Sequence, residues 1–421
     1  MRDFEKSVLK NGVRILSERH SASRAVAMGI FVDVGTRDEK KNEIGISHLL
    51  EHMVFKGTET RSAYQIAKSL ESLGGDLNAY TTREYTCYHS LVLKEDWRAA
   101  LDVMCDLVSN MKIRAKDFSL EKSVILQEIA SSEESPEDWL YDEFFKCVYG
   151  EHGLGRSILG EIRTIAMMNS RNVVTHYKKF YTGPRIILAA AGNIHHHEFV
   201  EAARKKLAKK TKVLGPVMRI AEKWIEIRRC MNKETQQIHF MMGWPTVSFL
   251  DQDRFQAIIA NSILGGGMTS RLYQSVREKR GLVYSIYSTL QTFVDGGFVT
   301  IYAATEKSKV KPLIEIIRKE LKKLKTLEIS EAELNLYKTQ IRGSLLLGSD
   351  DIENRLASVG VNEMVFGEYR SPESVIAEVE RVDIKKFQKF LKEKMPIEEA
   401  SGIIMGPGAE ELSDWWESFK F

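Results

Sequence analysis

The segment Gly45-Ile46-Ser47-His48-Leu49-Leu50-Glu51-His52 holds two histidines four residues apart, with a glutamate directly before the second. On a helix of 3.6 residues per turn these three side chains share one face. Two imidazoles on one face can grip a divalent metal, and a carboxylate beside them can take a proton from water that the metal has acidified. A chance HxxEH is expected only about 0.02 times in a chain with ten histidines, so the pattern calls for an explanation. It demands a helix here, a third ligand from elsewhere and an open position for water.

The best candidates for that ligand lie in Leu120-Glu121-Lys122-Ser123-Val124-Ile125-Leu126-Gln127-Glu128. The surrounding pattern predicts a helix capped by Asp117 and running to about Ser132. Glu121 and Glu128 stand two turns apart on one face, beside an apolar stripe of Leu120, Val124 and Ile125. One could bind metal while the other orients a ligand histidine from behind, and spacing alone leaves the two roles open. Glu133, Glu134 and Glu137 sit at a helix end and read as solvated.

At 421 residues the chain is too long for one ordinary core. Strands are expected over 6–18 and 25–35, then the metal helix over 43–55, and a helix over 61–73 stopped by Gly74-Gly75. Strands 76–82 and 85–92 follow, then helices over 95–112, 117–132 and 137–149, strand 186–191 and a helix to about 210. The order recurs after a break: strands 224–230 and 235–243, helices 250–264 and 269–279, strands 283–293 and 297–304. Helices 307–325 and 330–348, the latter with a Ser330/Glu333 capping box, lead through shorter helices to a strand at 401–405. The expected class is α+β: two structurally similar halves, each a mostly antiparallel sheet covered by helices. The domains would be 1–210, carrying the metal, and 224–421, with 211–223 as linker. Trp415-Trp416 reads as a last helix packed on the body.

The net charge of +3 gives no electrostatic case for nucleic acid, and basic runs such as Lys322-Lys323-Leu324-Lys325 read as solvated helix faces. Cys87, Cys105, Cys147 and Cys230 form no CxxC pair and read as buried free thiols. The first residues form neither an apolar signal core nor an acid-poor presequence, and no run approaches the roughly 18 apolar residues of a membrane span. A cytoplasmic enzyme of bacterial type is expected. His195-His196-His197 could bind metal adventitiously, but its place between a strand and a helix suits a polar turn.

The order HxxEH inverts the commoner HExxH zinc motif. Gly45 to Thr58, GISHLLEHMVFKGT, closely resembles the metal helix of the pitrilysin-type metallopeptidases, nearest to the β-subunit of the mitochondrial processing peptidase and its bacterial relatives. In that family the third ligand follows the second histidine by about 76 residues, which lands on Glu128 and leaves Glu121 behind a ligand histidine. The resemblance implies one zinc ion per chain on His48, His52 and Glu128, with Glu51 as general base. It extends to Gly74-Gly75-Asp76-Leu77-Asn78-Ala79-Tyr80-Thr81, where an extended substrate would add to a sheet edge and meet Asn78 and Ala79.

In the second half Gly265-Gly266-Gly267 resembles the family's glycine-rich substrate loop, and the glycines follow a helix, unlike a phosphate cradle. Arg277 and Tyr284 match an arginine and a tyrosine seven apart that reach the substrate at the zinc site. A guanidinium can bind carbonyls and a phenol can donate to an oxyanion. The function so implied is a zinc endopeptidase that cleaves unfolded peptides inside a chamber of which this chain is a clamshell half. Two repeats stand where the chamber takes four, so the partner is an identical chain or a zinc-less homologue. The competing reading is a non-catalytic scaffold or partner subunit, whose members in this family lack parts of the metal set.

Overall fold

The computed structural model describes residues 3–208, 210–211, 219–221, 223–326 and 328–421. Most of the expected linker, 212–218 and 222, lies outside the described residues. Two compact units emerge, and neither is a single run of chain. The first falls in Met1–Ser131, Glu151–Met218 and Leu347–Arg370, and the second in Ser132–Gly150, Arg219–Leu346 and Ser371–Phe421.

The first unit is built on a six-stranded sheet: β1 (Asp3–Val8), β2 (Arg14–Arg19), β3 (Ala25–Val32), β4 (Asn78–Thr81), β5 (Thr86–Leu93) and β6 (Ile186–Gly192). Its spatial order is β1-β2-β6-β3-β5-β4, antiparallel except for β2 beside β6. β1 and β2 meet through a turn in which Gly12 takes φ +92°, a conformation that Gly adopts without strain. β3 is buried on both faces. Val26, Met28, Ile30 and Val32 enter one core, while Ala27 and Phe31 enter the other. That double burial is why its sequence reads as a nearly continuous apolar run.

Helices α1 (Ile46–Val54), α2 (Ala63–Glu71), α3 (Trp97–Asn110) and α4 (Ala115–Glu134) contribute to the larger core, through Leu49, Ile66, Leu101 and Ile125 among others. The opposite face is covered by the helix Ile352–Phe366, which presents Leu356 and Val359 to Leu16, Phe31, Ile187 and Ala189. Gly360 lets it approach, since a Cβ there would stand 2.3 Å from the Phe31 ring. At its first turns Arg355 makes a two-pronged ion pair with fully buried Glu18, at 2.8 and 2.5 Å.

The second unit has β7 (Arg228–Met231), β8 (Ile238–Thr246), β9 (Ile286–Thr292), β10 (Gly297–Thr305) and β11 (Ser401–Met405), in the order β7-β11-β8-β10-β9. Only β7 and β11 run parallel. The neighbour pattern from β2 to β4 in the first sheet recurs here, so the halves are alike, as the repeat in the sequence implied. Val299, Ile301 and Ala303 of β10 join one core. On the other face α5 (Pro136–Tyr149) packs Phe145 against Phe298 with ring centroids 4.8 Å apart.

Several expectations need correction. Asp117 lies inside the first turn of α4 and does not cap it. Leu120 and Val124 are exposed, 55% and 37%, and the buried stripe of α4 is Phe118, Glu121, Ile125 and Ile129. The three- and four-residue steps that align 118, 121, 125 and 129 carry 120 and 124 off that stripe. The helix expected over 269–279 contains a π-helical segment, Tyr273–Glu278, with Lys279 N–H donating to Gln274 O. Helices Ile162–Met167 and Ser170–Phe180 were not anticipated. Ser330 caps the helix Glu331–Gly348 by accepting from Glu333 N–H, but the Glu333 side chain is taken by Arg271. Trp416 is buried and donates to Gly402 O at 3.1 Å.

Candidate metal centre

The helix α1 begins after Gly45, whose φ of +90° turns the chain into it. The Glu39 carboxylate accepts from the N–H groups of Gly45 and Ser47 at 2.8 and 2.7 Å. Donors left free at a helix N-terminus are satisfied in this way. Burial pushes the Glu39 carboxyl up to about 8, against the pull of those two N–H groups.

One turn apart on α1, the His48 and His52 rings stand 4.6 Å apart at 68°. Their Nε2 atoms lie 3.8 and 3.6 Å from one oxygen, Glu128 Oε2, on α4. Among the described residues this is the sole group of three or more His, Cys, Asp or Glu side chains close enough to share a metal ion. The distances exceed hydrogen bonds. They approach the separation of about 3.4 Å between tetrahedral ligands at zinc bond lengths of about 2.0–2.1 Å. Burial, with the neighbouring His52, lowers the His48 pKa to about 4, so its imidazole is neutral at neutral pH, the form that binds a metal. Two imidazoles and a carboxylate are a donor set that fits zinc.

Behind the ligands, Glu121 accepts from His52 Nδ1 at 3.1 Å and pairs with Lys56 Nζ at 2.6 Å. A proton held on Nδ1 leaves Nε2 as the lone-pair atom facing Glu128, so the two glutamates that spacing left open stand at different nitrogens of His52. Glu51, between the two histidines, is 9% exposed, and burial raises its pKa. Thr81 Oγ1 donates to Glu51 Oε2 at 2.5 Å. Thr81 belongs to β4, the edge strand packed beside α1, so Asn78 and Ala79 lie on the edge that borders this centre.

The remaining expected residues belong to the second unit. Tyr284 is 81% exposed, and the Arg277 guanidinium lies 5.2 Å from its ring and 4.8 Å from that of Tyr273. Gly265 and Gly266 end the helix Arg254–Gly265. A Cβ on Gly265 would collide with Ser288 N at 2.4 Å, so packing against β9 already requires that glycine, whereas Gly267 faces open space. In the first unit, His196 is buried between Ser7 Oγ and Ser17 Oγ, both at 2.8 Å, while His195 and His197 are exposed. Within that run, His196 has a packing role.

Sequence reasoning missed Glu39, Lys56 and Thr81 as parts of the centre. Lys56 had a signal, standing one turn after His52. Glu39 and Thr81 had none, because their contacts depend on how a loop and a strand meet α1.

A model of the family described as insulinase (peptidase family M16) matches residues 14–162, and one described as the peptidase M16 inactive domain matches 168–341. An uncharacterized zinc protease of Bacillus subtilis is 35% identical over 408 residues, covering 96% of this chain and 99% of that protein. Another from Streptomyces coelicolor is 33% identical over 420 residues, covering 97% and 92%. The crystal structure of a protease from Helicobacter pylori superposes with a TM-score of 0.89 at 19% identity, over 97% of this chain and 100% of that one. At that identity the structural likeness speaks for the fold.

Proposed function

This chain belongs to the insulinase-type peptidase family M16, and on that premise we propose that it is a zinc-dependent endopeptidase acting on unfolded peptides. The observation that carries the reading is the convergence of His48, His52 and Glu128 with a buried carboxylate, Glu51, on the same helix face. His48, His52 and Glu128 would hold the metal. When bound, zinc supplies Lewis acidity, acidifying water and polarising a peptide carbonyl.

The protein's own groups do the rest. Glu51 takes a proton from the attacking water and later delivers it to the departing amine. The open edge of β4 favours an extended peptide that pairs through its main chain along Asn78 and Ala79, and only an unfolded segment can do so. From the resemblance, Tyr284 donates to the carbonyl oxygen as it gains charge, Arg277 binds a substrate carbonyl, and Gly265, Gly266 and Gly267 allow close backbone approach. The chamber, the single zinc per chain and the dimer, with an identical chain or a zinc-less homologue, belong to the same proposal. Sizing in solution tests the dimer.

Glu51→Gln is the decisive variant. It should retain about one zinc per chain and lose cleavage of an unstructured peptide by at least roughly a hundredfold. Cleavage at the wild-type rate would remove Glu51 from the mechanism. A wild-type protein that keeps no metal after dialysis, with His195 and His197 replaced to silence that run, would favour the scaffold reading.

A further inference from the structure

Glu51 has two carboxylate oxygens, and a general base uses one of them. Among the described residues a single side chain donates to this carboxylate, Thr81, whose Oγ1 lies 2.5 Å from Glu51 Oε2. Both residues are 9% exposed, so the bond is largely shielded from water. Thr81 ends β4, and side chains alternate along a strand. Ala79 accordingly packs on the core beneath α1, as Thr81 reaches Glu51, while Tyr80 packs on the opposite core.

We propose that Thr81 is a positioning residue whose hydroxyl fixes the Glu51 carboxylate and ties its orientation to the strand on which an extended peptide is recognised. The proposal rests on the peptidase reading above. The terminal torsion of a glutamate is broad and roughly two-fold, so an unrestrained carboxylate can present either oxygen. Donation to Oε2 holds that oxygen and leaves Oε1, which has no donor among the described residues, as the acceptor. As the water O–H bond breaks, the proton forms a new O–H bond at Oε1. That same proton passes to the amine as the peptide C–N bond breaks, and Glu51 ends ionised as it began.

Threonine suits the task, because β-branching restricts χ1 and keeps the hydroxyl aimed. β4 also carries the free main-chain edge of the sheet and is held on its other side only by β5, with Thr81 opposite Thr86. A peptide that pairs along β4 turns it from an edge strand into an interior one. The donor to the base therefore sits on the same strand that the peptide pairs with.

Thr81→Val removes the donor while keeping shape and β-branching, and Thr81→Ser keeps the donor. Both are compared with wild type and Glu51→Gln in steady-state cleavage of an unstructured quenched peptide, and in zinc affinity by chelator competition. Thr81→Val should lower kcat by roughly ten- to hundredfold, the worth of one hydrogen bond to a charged group. KM and zinc affinity should stay within about twofold, and Thr81→Ser should return kcat to within about threefold of wild type. Wild-type kcat in Thr81→Val, equal losses in the two variants, or a loss of zinc affinity or KM as large as that in kcat would each overturn the proposal. Should Thr81→Val fail to fold by circular dichroism, Thr81→Ala makes the same deletion and is read by the same criteria. If wild type and Glu51→Gln behave alike, the peptidase reading fails and the Thr81 proposal falls with it. An active wild type, an inactive Glu51→Gln and an unaffected Thr81→Val would sink the Thr81 proposal alone.

Discussion

At the scale of single residues, the proposed metal centre includes groups that are not among its three donors. Glu121 bridges His52 and Lys56, with one oxygen for each. Such partners fix the ring orientation of a ligand histidine, and their loss usually costs ten- to a hundredfold in metal affinity. Glu121→Gln should therefore weaken zinc binding by roughly that factor in chelator competition, and Lys56→Met should act in the same direction by less. Unchanged affinity in Glu121→Gln would show that His52 needs no such support. The sequence made Glu121 and Glu128 look equivalent for a physical reason. Seven residues is nearly two full turns, so both point the same way from α4. What separates them is which nitrogen each one reaches, and that depends on the packing of α1 against α4. The histidine pair itself was legible because its geometry lies wholly within one helix.

At the scale of elements, strand and helix positions followed from periodicity, but the destination of two helices did not. An apolar stripe says that a helix must bury one face and leaves open which sheet will cover it. The helix Ile352–Phe366 closes the first sheet and α5 closes the second, each reaching across the sequence. The Glu18 cluster holds the first of these. Burial alone would raise the Glu18 carboxyl, yet hydrogen bonds from Arg355 and His20, the Arg355 charge and the Tyr369 hydroxyl bring it down to about 2 from an ordinary 4.5. A carboxyl whose pKa is lower when folded contributes stability above its unfolded value and loses it as the pH falls. The contribution should be intact above about pH 4.5 and fade between there and about pH 2. Glu18→Gln leaves Arg355 buried without its charge partner and should cost about 3–5 kcal/mol at pH 7, seen as a lower urea midpoint. The variant should also lose less stability than wild type on acidification through that window. An unchanged midpoint at pH 7 would mean that the helix is held by its apolar face alone.

At the scale of the whole molecule, the interleaving of the chain makes a prediction that sequence order would get wrong. All three proposed metal donors, His48, His52 and Glu128, belong to the first compact unit. A ligand that binds only the folded state stabilises it by mass action, about 2.7 kcal/mol at a hundred times Kd. Local opening is distributed over cooperative segments, so that stabilisation should spread through the unit that holds the metal. Hydrogen exchange with and without zinc reads the distribution peptide by peptide. Added zinc should slow exchange in α1, α4 and β4. It should also slow the helix Ile352–Phe366, which is 224 residues from Glu128 in sequence at its first residue yet packs on the same sheet. By contrast α5, which starts eight residues after Glu128, should follow β8 and β10 and gain little. A domain cut at the expected linker predicts the reverse for both helices. Zinc-dependent protection in α5 but not in Ile352–Phe366 would therefore show that stability follows the order of the chain, and the interleaved units would not be the cooperative ones.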